Sequence, residues 1–361
     1  MIHEVFKEKN MHNMLRNLSE IGSEYWLEDI TSEDLVNEDN GCYVLSGRTA
    51  IDVILQDIHK ERKVQNVYLP AYCCDSMLLP FIDRGIKVHL YDVWFDNKLI
   101  YEITETKNID ILYICNYFGY ENNVSNDIIN WYRKSGAIVI YDKTHSLFMD
   151  YDQTDSVADY SFASIRKWMG VVAGAVVWKR NGTISPLLKD CSYLQCKIEA
   201  MQDKKSYLSG YASINKQVFL DKYASFGHYL SSDYRNYRMD KLSCAIWKQS
   251  DKEWIKKVRK DNAVILHSNE NVQYLNELTS NSCPLFVPIF LKSSDLRNKV
   301  RKSLIDFQIY CPVHWPKNNL ITMDMKVNDL FDRELSLICD QRYSTEHMLK
   351  INEILKTNLK R

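Results

Sequence analysis

Two short segments of this 361-residue chain carry side chains that could do chemistry together. In the first, the β-branched run Ala137-Ile-Val-Ile-Tyr141 ends in Asp142, with His145 three residues further on. In the second, Asp159-Tyr-Ser161-Phe-Ala-Ser164-Ile-Arg-Lys167 is a short aromatic run ending in serines and a lysine. This order suits pyridoxal 5'-phosphate (PLP). A carboxylate must pair with the protonated ring nitrogen so that the ring can withdraw electrons. A lysine must hold the aldehyde as a Schiff base and move protons. Hydroxyls and backbone N–H groups must hold the phosphate. The competing reading is a buried strand-end aspartate and an ordinary surface lysine, and these two segments alone leave it open.

The elements that must position these residues are legible as alternating periods. Val67–Leu69, Ile86–Val93, Ile111–Cys115, Ala137–Tyr141, Tyr160–Ala163 and Ala175–Trp178 are short apolar or β-branched runs. Thr49–His59, Cys74–Arg84 and Asn126–Lys134, which lie between some of them, are helical in pattern. Strands spaced by helices predict an α/β unit with a mostly parallel sheet, whose ligands bind at the carboxyl ends of the strands. Pro70, Asn116 and Asp142 fall at such ends. Residues 181–235 read as polar, irregular to helical. Met239 to Leu278 reads as one long helix with Ile246, Trp254, Val258, Ile265 and Leu266 as its apolar stripe. Strands at Pro284–Leu291 and Ile309–Trp315 and helices at Asp295–Phe307 and Thr345–Leu359 complete a smaller α+β domain. The expected division is a large domain over 1–240 and a small one over 241–361.

Composition narrows the class. The 46 basic and 47 acidic residues balance, so nothing suggests nucleic acid or an anionic membrane as partner. The ten cysteines include no Cys-x-x-Cys pair and form no disulfide framework, which points away from a metal site and towards reduced thiols in the cytoplasm. Met1–Lys9 carries acids and no apolar core of a leader, and Gly170–Trp178 is far short of the roughly 20 residues that span a bilayer.

Six motifs in order resemble the DegT/StrS family of sugar aminotransferases. They are Ser46-Gly47-Arg48-Thr49-Ala-Ile51, Leu69-Pro70-Ala-Tyr72, Asn116-Tyr-Phe118-Gly119, Asp142-x-x-His145, Ser161-Phe-x-x-x-x-Lys167 and Asn236-Tyr-Arg238-Met-Asp-x-Leu-x-x-Ala245. The resemblance implies a fold-type I PLP transferase with a mostly parallel seven-stranded sheet sandwiched by helices. It implies that Lys167 carries PLP, that Asp142 faces its ring nitrogen and that His145 meets its phenolic oxygen. Ser46, Gly47, Arg48, Thr49 and either Ser161 or Ser164 would hold the phosphate. Tyr72, Cys74 and Asn116 would line the cofactor site. Arg166 would point away from it if the backbone there is extended. Asn236 and Arg238 open the segment that, in the family, reaches into a partner subunit's site, which implies a homodimer with shared active sites. Arg238 and His314 are candidates for substrate contact.

The chain departs from the family where Cys73 and Cys74 stand in place of a stacking aromatic or histidine, and where the usual Glu-Gly-Gly after the lysine is missing. The expected activity is transfer of an amino group, commonly from glutamate, to a keto sugar or sugar nucleotide in surface-polysaccharide or amino-sugar synthesis. Two alternatives stand beside it. A PLP sugar dehydratase is disfavoured because such relatives replace the lysine by histidine. A catalytically silent binding or regulatory protein is favoured by the missing aromatic.

Overall fold

The structure, a computed structural model, describes residues 20–29, 40–211, 214–317 and 319–359; Met1–Lys9 lies outside them. After β1 (Ile21–Gly22), the chain lays down β2 (Cys42–Val44), α1 (Gly47–His59), β3 (Asn66–Pro70), α2 (Asp75–Ile82), β4 (Lys87–Asp96), β5 (Lys98–Glu102), β6 (Ile111–Cys115), α3 (Asn126–Lys134), β7 (Ile138–Asp142), α4 (Gln153–Val157), β8 (Tyr160–Ala163) and β9 (Ala175–Lys179). These strands after β1 form one sheet in the order β2-β9-β8-β7-β6-β3-β4-β5. The central ladders β4/β3, β3/β6, β6/β7 and β7/β8 are parallel, and β4/β5, β8/β9 and β2/β9 are antiparallel. The α/β class with a mostly parallel sheet is as expected, but there are eight strands rather than seven. The strands legible in the sequence are the apolar ones, such as the fully buried β6. β2 and β5 are edge strands with only one buried residue each, so they carry little hydrophobic signal.

The helices follow their caps. Ser46 accepts the Thr49 N–H at the start of α1, and Ser125 accepts the Asp127 N–H at the start of α3. Beyond the sheet come α5 (Leu194–Leu208) and α6 (Lys216–Ser232), in the stretch read as irregular to helical. The single helix expected over Met239–Leu278 is two, α7 (Lys241–Gln249) and α8 (Lys252–Leu266). Asp251 divides them, because its side chain accepts the Trp254 N–H and caps a fresh first turn.

The last third contains β10 (Gln273–Tyr274), β11 (Val287–Phe290), α9 (Ser294–Asp306), β12 (Ile309–Tyr310), α10 (Met325–Arg333), β13 (Glu334–Leu337) and α11 (Thr345–Leu359). β10, β11 and β13 form a small antiparallel sheet. β12 stops at Tyr310 rather than running to Trp315; Pro312 has no N–H to continue a ladder. It pairs with β1 instead, so Ile21 joins the second hydrophobic core with Leu266, Leu304, Leu337 and Ile351. The segment freed after β12 carries His314 and Trp315 back to the main sheet, where Trp315 joins the first core.

One glycine ties the two parts together. Gly119 has φ +83°, and a Cβ there would lie 2.2 Å from the Cys283 carbonyl oxygen and 2.6 Å from that of His145. Gly136 has φ +86° with nothing within 4 Å of its would-be Cβ. Gly136→Ala should therefore cost only the strain of its backbone, about 1 kcal/mol. Gly119→Ala should cost clearly more, about 3 kcal/mol or beyond, because two backbone carbonyls must move. Urea unfolding of the two variants side by side checks this; equal losses would show that the close approach is unimportant.

Candidate active site

Asp142 ends β7 level with Cys115 of β6 and Phe162 of β8, in the fully buried middle of the sheet edge. The chain turns at once, with the Thr144 N–H donating to Asp142 Oδ1 at 2.9 Å. Tyr113 O–H donates to the other carboxylate oxygen at 2.8 Å. Burial raises the Asp142 pKa, while Thr144, Tyr113 and the nearby Lys167 favour the ionised form. Thr144 also fixes the next loop: its Oγ1 accepts the Ser164 N–H at 3.1 Å, and its carbonyl accepts the Trp168 indole N–H at 2.6 Å. Ile165–Lys167 is a short 3₁₀ turn anchored by the fully buried Trp168.

One pocket is lined by Ser46, Gly47, Arg48, Cys74, Asp142, His145, Ser164 and Lys167, together with Thr144, Cys115, Phe162, Arg166 and Trp315. It sits at the carboxyl ends of β6, β7 and β8 and at the start of α1. A Cβ on Gly47 would project to 3.7 Å from Phe162 and 3.8 Å from Ser164, so the missing side chain leaves room beside the free N–H groups of α1.

His145 is buried in this pocket. The Phe118 N–H donates to its Nδ1 at 3.1 Å, so the neutral ring carries its proton on Nε2. That nitrogen lies 3.0 Å from His314 Nε2 and 3.4 Å from Lys167 Nζ. His145 therefore donates to His314, whose own proton is on Nδ1. Burial first, then Lys167 and His314, push the His145 pKa well below 6.5. Burial and Lys167 do the same to His314.

Not every expected residue lines the pocket. Ser161 lies on the opposite face of β8 from Phe162, since neighbours along a strand alternate; the serine at the pocket is Ser164. Thr49 supports the cradle from behind, with its hydroxyl on Ser46 at 2.9 Å and on the Tyr234 carbonyl at 2.7 Å. Tyr72 is fully buried and donates to the His314 carbonyl at 3.2 Å. Asn116 closes its own turn, donating to the Tyr120 carbonyl at 2.9 Å and accepting the Gly119 N–H at 3.2 Å. Asn236, at φ 61°, accepts from Gln56 at 2.8 Å, and Arg238 is exposed beside Asp190 at 3.4 Å. Neither enters this chain's pocket.

Of the lining residues outside the expected set, Arg166 and Trp315 bear most on the chemistry. Arg166 faces the pocket because the backbone is not extended: in a turn of three residues per cycle, neighbours diverge by about 120° and can share a cavity. Trp315 supplies an aromatic wall. Its ring stacks on His145, with centroids 5.5 Å apart and planes at 24°, and lies 5.9 Å from Lys167 Nζ. It holds φ 73°, a strained value for a bulky residue, with Tyr72 and Tyr117 packed edge-on to it. It adjoins His314, which the sequence marks as a candidate for substrate contact.

No family model matches the sequence, and no curated protein matches it. Solved structures do. PseC from Helicobacter pylori, an aminotransferase involved in the biosynthesis of pseudoaminic acid, superposes with TM-score 0.66 at 14% identity, covering 94% of this chain and 99% of that one. GDP-4-keto-6-deoxy-D-mannose-3-dehydratase from E. coli, with bound hydrated PLP, gives 0.62 at 15%, covering 93% and 100%. NtdA from Bacillus subtilis, with bound PMP, gives 0.61 at 15%, covering 89% and 73%. This chain shares their fold. Among the described residues no helix is long and apolar enough to cross a membrane, and no group of three or more His, Cys, Asp or Glu could hold a metal ion.

The histidine pair makes stability depend on acid. Both rings stay neutral when folded, whereas the unfolded chain takes up protons below its ordinary value of about 6.5. Stability must therefore fall as pH drops below about 6.5, by up to about 1.4 kcal/mol per pH unit for each ring. Urea unfolding at pH 7.5 and 5.5 measures this loss, and it should shrink in His145→Gln and in His314→Gln. An acid loss identical to wild type in both variants would mean that other groups carry it.

Proposed function

We propose that this protein is a PLP-dependent aminotransferase that moves an amino group from glutamate to a keto sugar or sugar nucleotide. Its setting would be surface-polysaccharide or amino-sugar synthesis in the cytoplasm. The observation that carries the reading is the meeting of Asp142, His145 and Lys167 with Ser46, Gly47, Arg48 and Ser164 in one pocket at a parallel sheet edge. The shared fold of PLP- and PMP-bound enzymes supports it.

Bound there, PLP would supply an aldehyde for amines and a ring that withdraws electrons from the substrate. Asp142 would hold a proton on the ring nitrogen: its carboxylate already accepts from Thr144 and Tyr113 and, buried at the sheet edge, gains from an adjacent cation. His145 would donate from Nε2, shared with His314, to an oxygen on the ring. Trp315 would close one side of the pocket against water, the part left vacant by Cys73 and Cys74. Lys167 Nζ would hold the cofactor and then, as the general base, take the proton from Cα of the amino donor. The lysine is also what disfavours dehydration, despite the shared fold with a dehydratase. Tyr72, Cys74, Asn116 and Thr49 would shape the site rather than react.

The reading includes a large domain over 1–240, a small one over 241–361 and a homodimer with shared sites. In it Asn236 and Arg238, which lie outside their own chain's pocket, serve the partner's. Subunit mixing tests this. Lys167→Ala and Asn236→Ala chains, each inactive alone, should together regain activity, because a mixed dimer holds one site with neither defect. If exchange is verified and nothing returns, Asn236 acts elsewhere.

The main test is chemical. Borohydride reduction in the presence of PLP should fix the cofactor to the peptide containing Lys167. Lys167→Ala should fold, lose the visible cofactor absorbance and lower glutamate-dependent amination of keto-sugar nucleotides by about 10²–10⁴-fold or more. Label on Lys143 or Lys179 instead would end the assignment.

A further inference from the structure

Arg166 stands beside the lysine, and the reaction as proposed gives it no work. Its Nε is buried without a hydrogen-bond partner, and so is that of Arg48. Neither side chain has an ion-pair partner among the described residues. The buried guanidiniums of Arg259 and Arg342 are both paired. Arg259 donates to Gln341, Tyr25 and the carbonyls of Pro284, Leu285 and Trp168. Arg342 pairs with Asp340 at 2.8 Å. The carboxylate within electrostatic reach of Arg166, Glu24, is already paired with Lys197 at 3.1 Å.

Two like charges lining one pocket repel. Burial first, and then Arg166, lower the Arg48 pKa, so the arrangement favours a missing negative partner. A third observation points to the same place. The Ser164 hydroxyl lines the pocket, the residue is only 4% exposed, and its side chain makes no cap hydrogen bond. A buried Nε without a partner on each of two half-buried arginines is costly unless a ligand satisfies it.

We propose that Arg48 and Arg166 clamp one dianionic phosphate monoester between them, over Ser164 and the first turn of α1. The count of donors favours phosphate over a carboxylate. Two guanidinium forks, one hydroxyl and the free N–H groups of α1 outnumber the roughly four lone-pair sites of a carboxylate, whereas a phosphate monoester offers three oxygens and two charges. The forked geometry also matters: a lysine at 166 would supply charge without the paired N–H groups. In the aminotransferase reading, on which the carrier of the phosphate rests, the clamp holds the cofactor's phosphate from within a single subunit.

The probe is inorganic phosphate, titrated by calorimetry into the full chain dialysed free of small molecules. Wild type should bind it. Arg48→Gln and Arg166→Gln should each weaken binding about 10–100-fold, as expected for loss of a charge-assisted contact, with unfolding midpoints of the ligand-free chain no lower than wild type. Pyridoxal without its phosphate should bind both variants as it binds wild type. Phosphate affinity equal to wild type in Arg166→Gln would overturn the clamp, as would an equal loss for pyridoxal. Should Arg166→Gln not fold, Arg166→Lys carries the test: weaker phosphate binding supports the clamp, and wild-type affinity overturns it. The two readings fail separately. Phosphate bound through both arginines with no PLP taken up at Lys167 sinks the aminotransferase and leaves the clamp. PLP taken up at Lys167 with phosphate binding indifferent to Arg166 does the reverse.

Discussion

Thr144 joins the two chemical halves of the pocket, and the rest of the site depends on it. Its N–H holds the Asp142 carboxylate, its hydroxyl holds the Ser164 backbone, and its carbonyl holds the Trp168 indole. The carboxylate at the end of one strand and the lysine turn after the next are thus held in fixed relation through one residue. All three bonds are shielded from water, where a lost partner costs about 1–3 kcal/mol rather than the smaller net value of an exposed bond. The parallel ladder β7/β8 sets the coarse spacing. Thr144 sets the fine one.

Charge is the second constraint. Arg48, Arg166 and Lys167 line a pocket whose lining carboxylate is Asp142, and the two histidines beside it are held neutral by burial and by Lys167. The pocket is thus polarised, with its positive groups near the start of α1 and the lysine turn and its negative one under the sheet edge. Such a gradient suits a ligand that is anionic at one end and protonated at the other. Glu334, buried below His314 and accepting its backbone N–H at 3.0 Å, adds no opposing charge, because burial pushes its pKa up to about 8.

What could be read from the sequence was what is encoded locally. Asp142 and the cradle from Ser46 to Arg48 follow from an apolar strand or a helix cap a few residues away. The fold class followed from the alternation of apolar strands and amphipathic helices. The misreadings have local causes too. Asp251 cuts a continuous apolar stripe into two helices. A 3₁₀ turn chooses Ser164 and Arg166 where an extended chain would have chosen otherwise. The edge strands β2 and β5 lack a buried run. Trp315, and the contact between His314 and His145, depend on packing between segments far apart in the chain, and no window of sequence contains that information.

The pairing of β1 with β12 bears on how the protein is made. Gly22 N–H donates to the Tyr343 hydroxyl across 321 residues, and Arg342 donates to the carbonyls of Ser23 and Glu24. The segment around β1 also has nearer partners, since Glu28 meets Gly170, Glu24 pairs with Lys197 and Tyr223 donates to the Tyr25 carbonyl, but its ladder must wait for β12. The main sheet can form early from neighbouring βα units, but the second core cannot close until the last helix, which supplies Met348, Ile351 and Leu355, is released. Ile21 has no ladder until β12 has been made. A chain stopped before Tyr343 would have the sheet edge and the lysine turn without the contacts that fasten β1 to the second core.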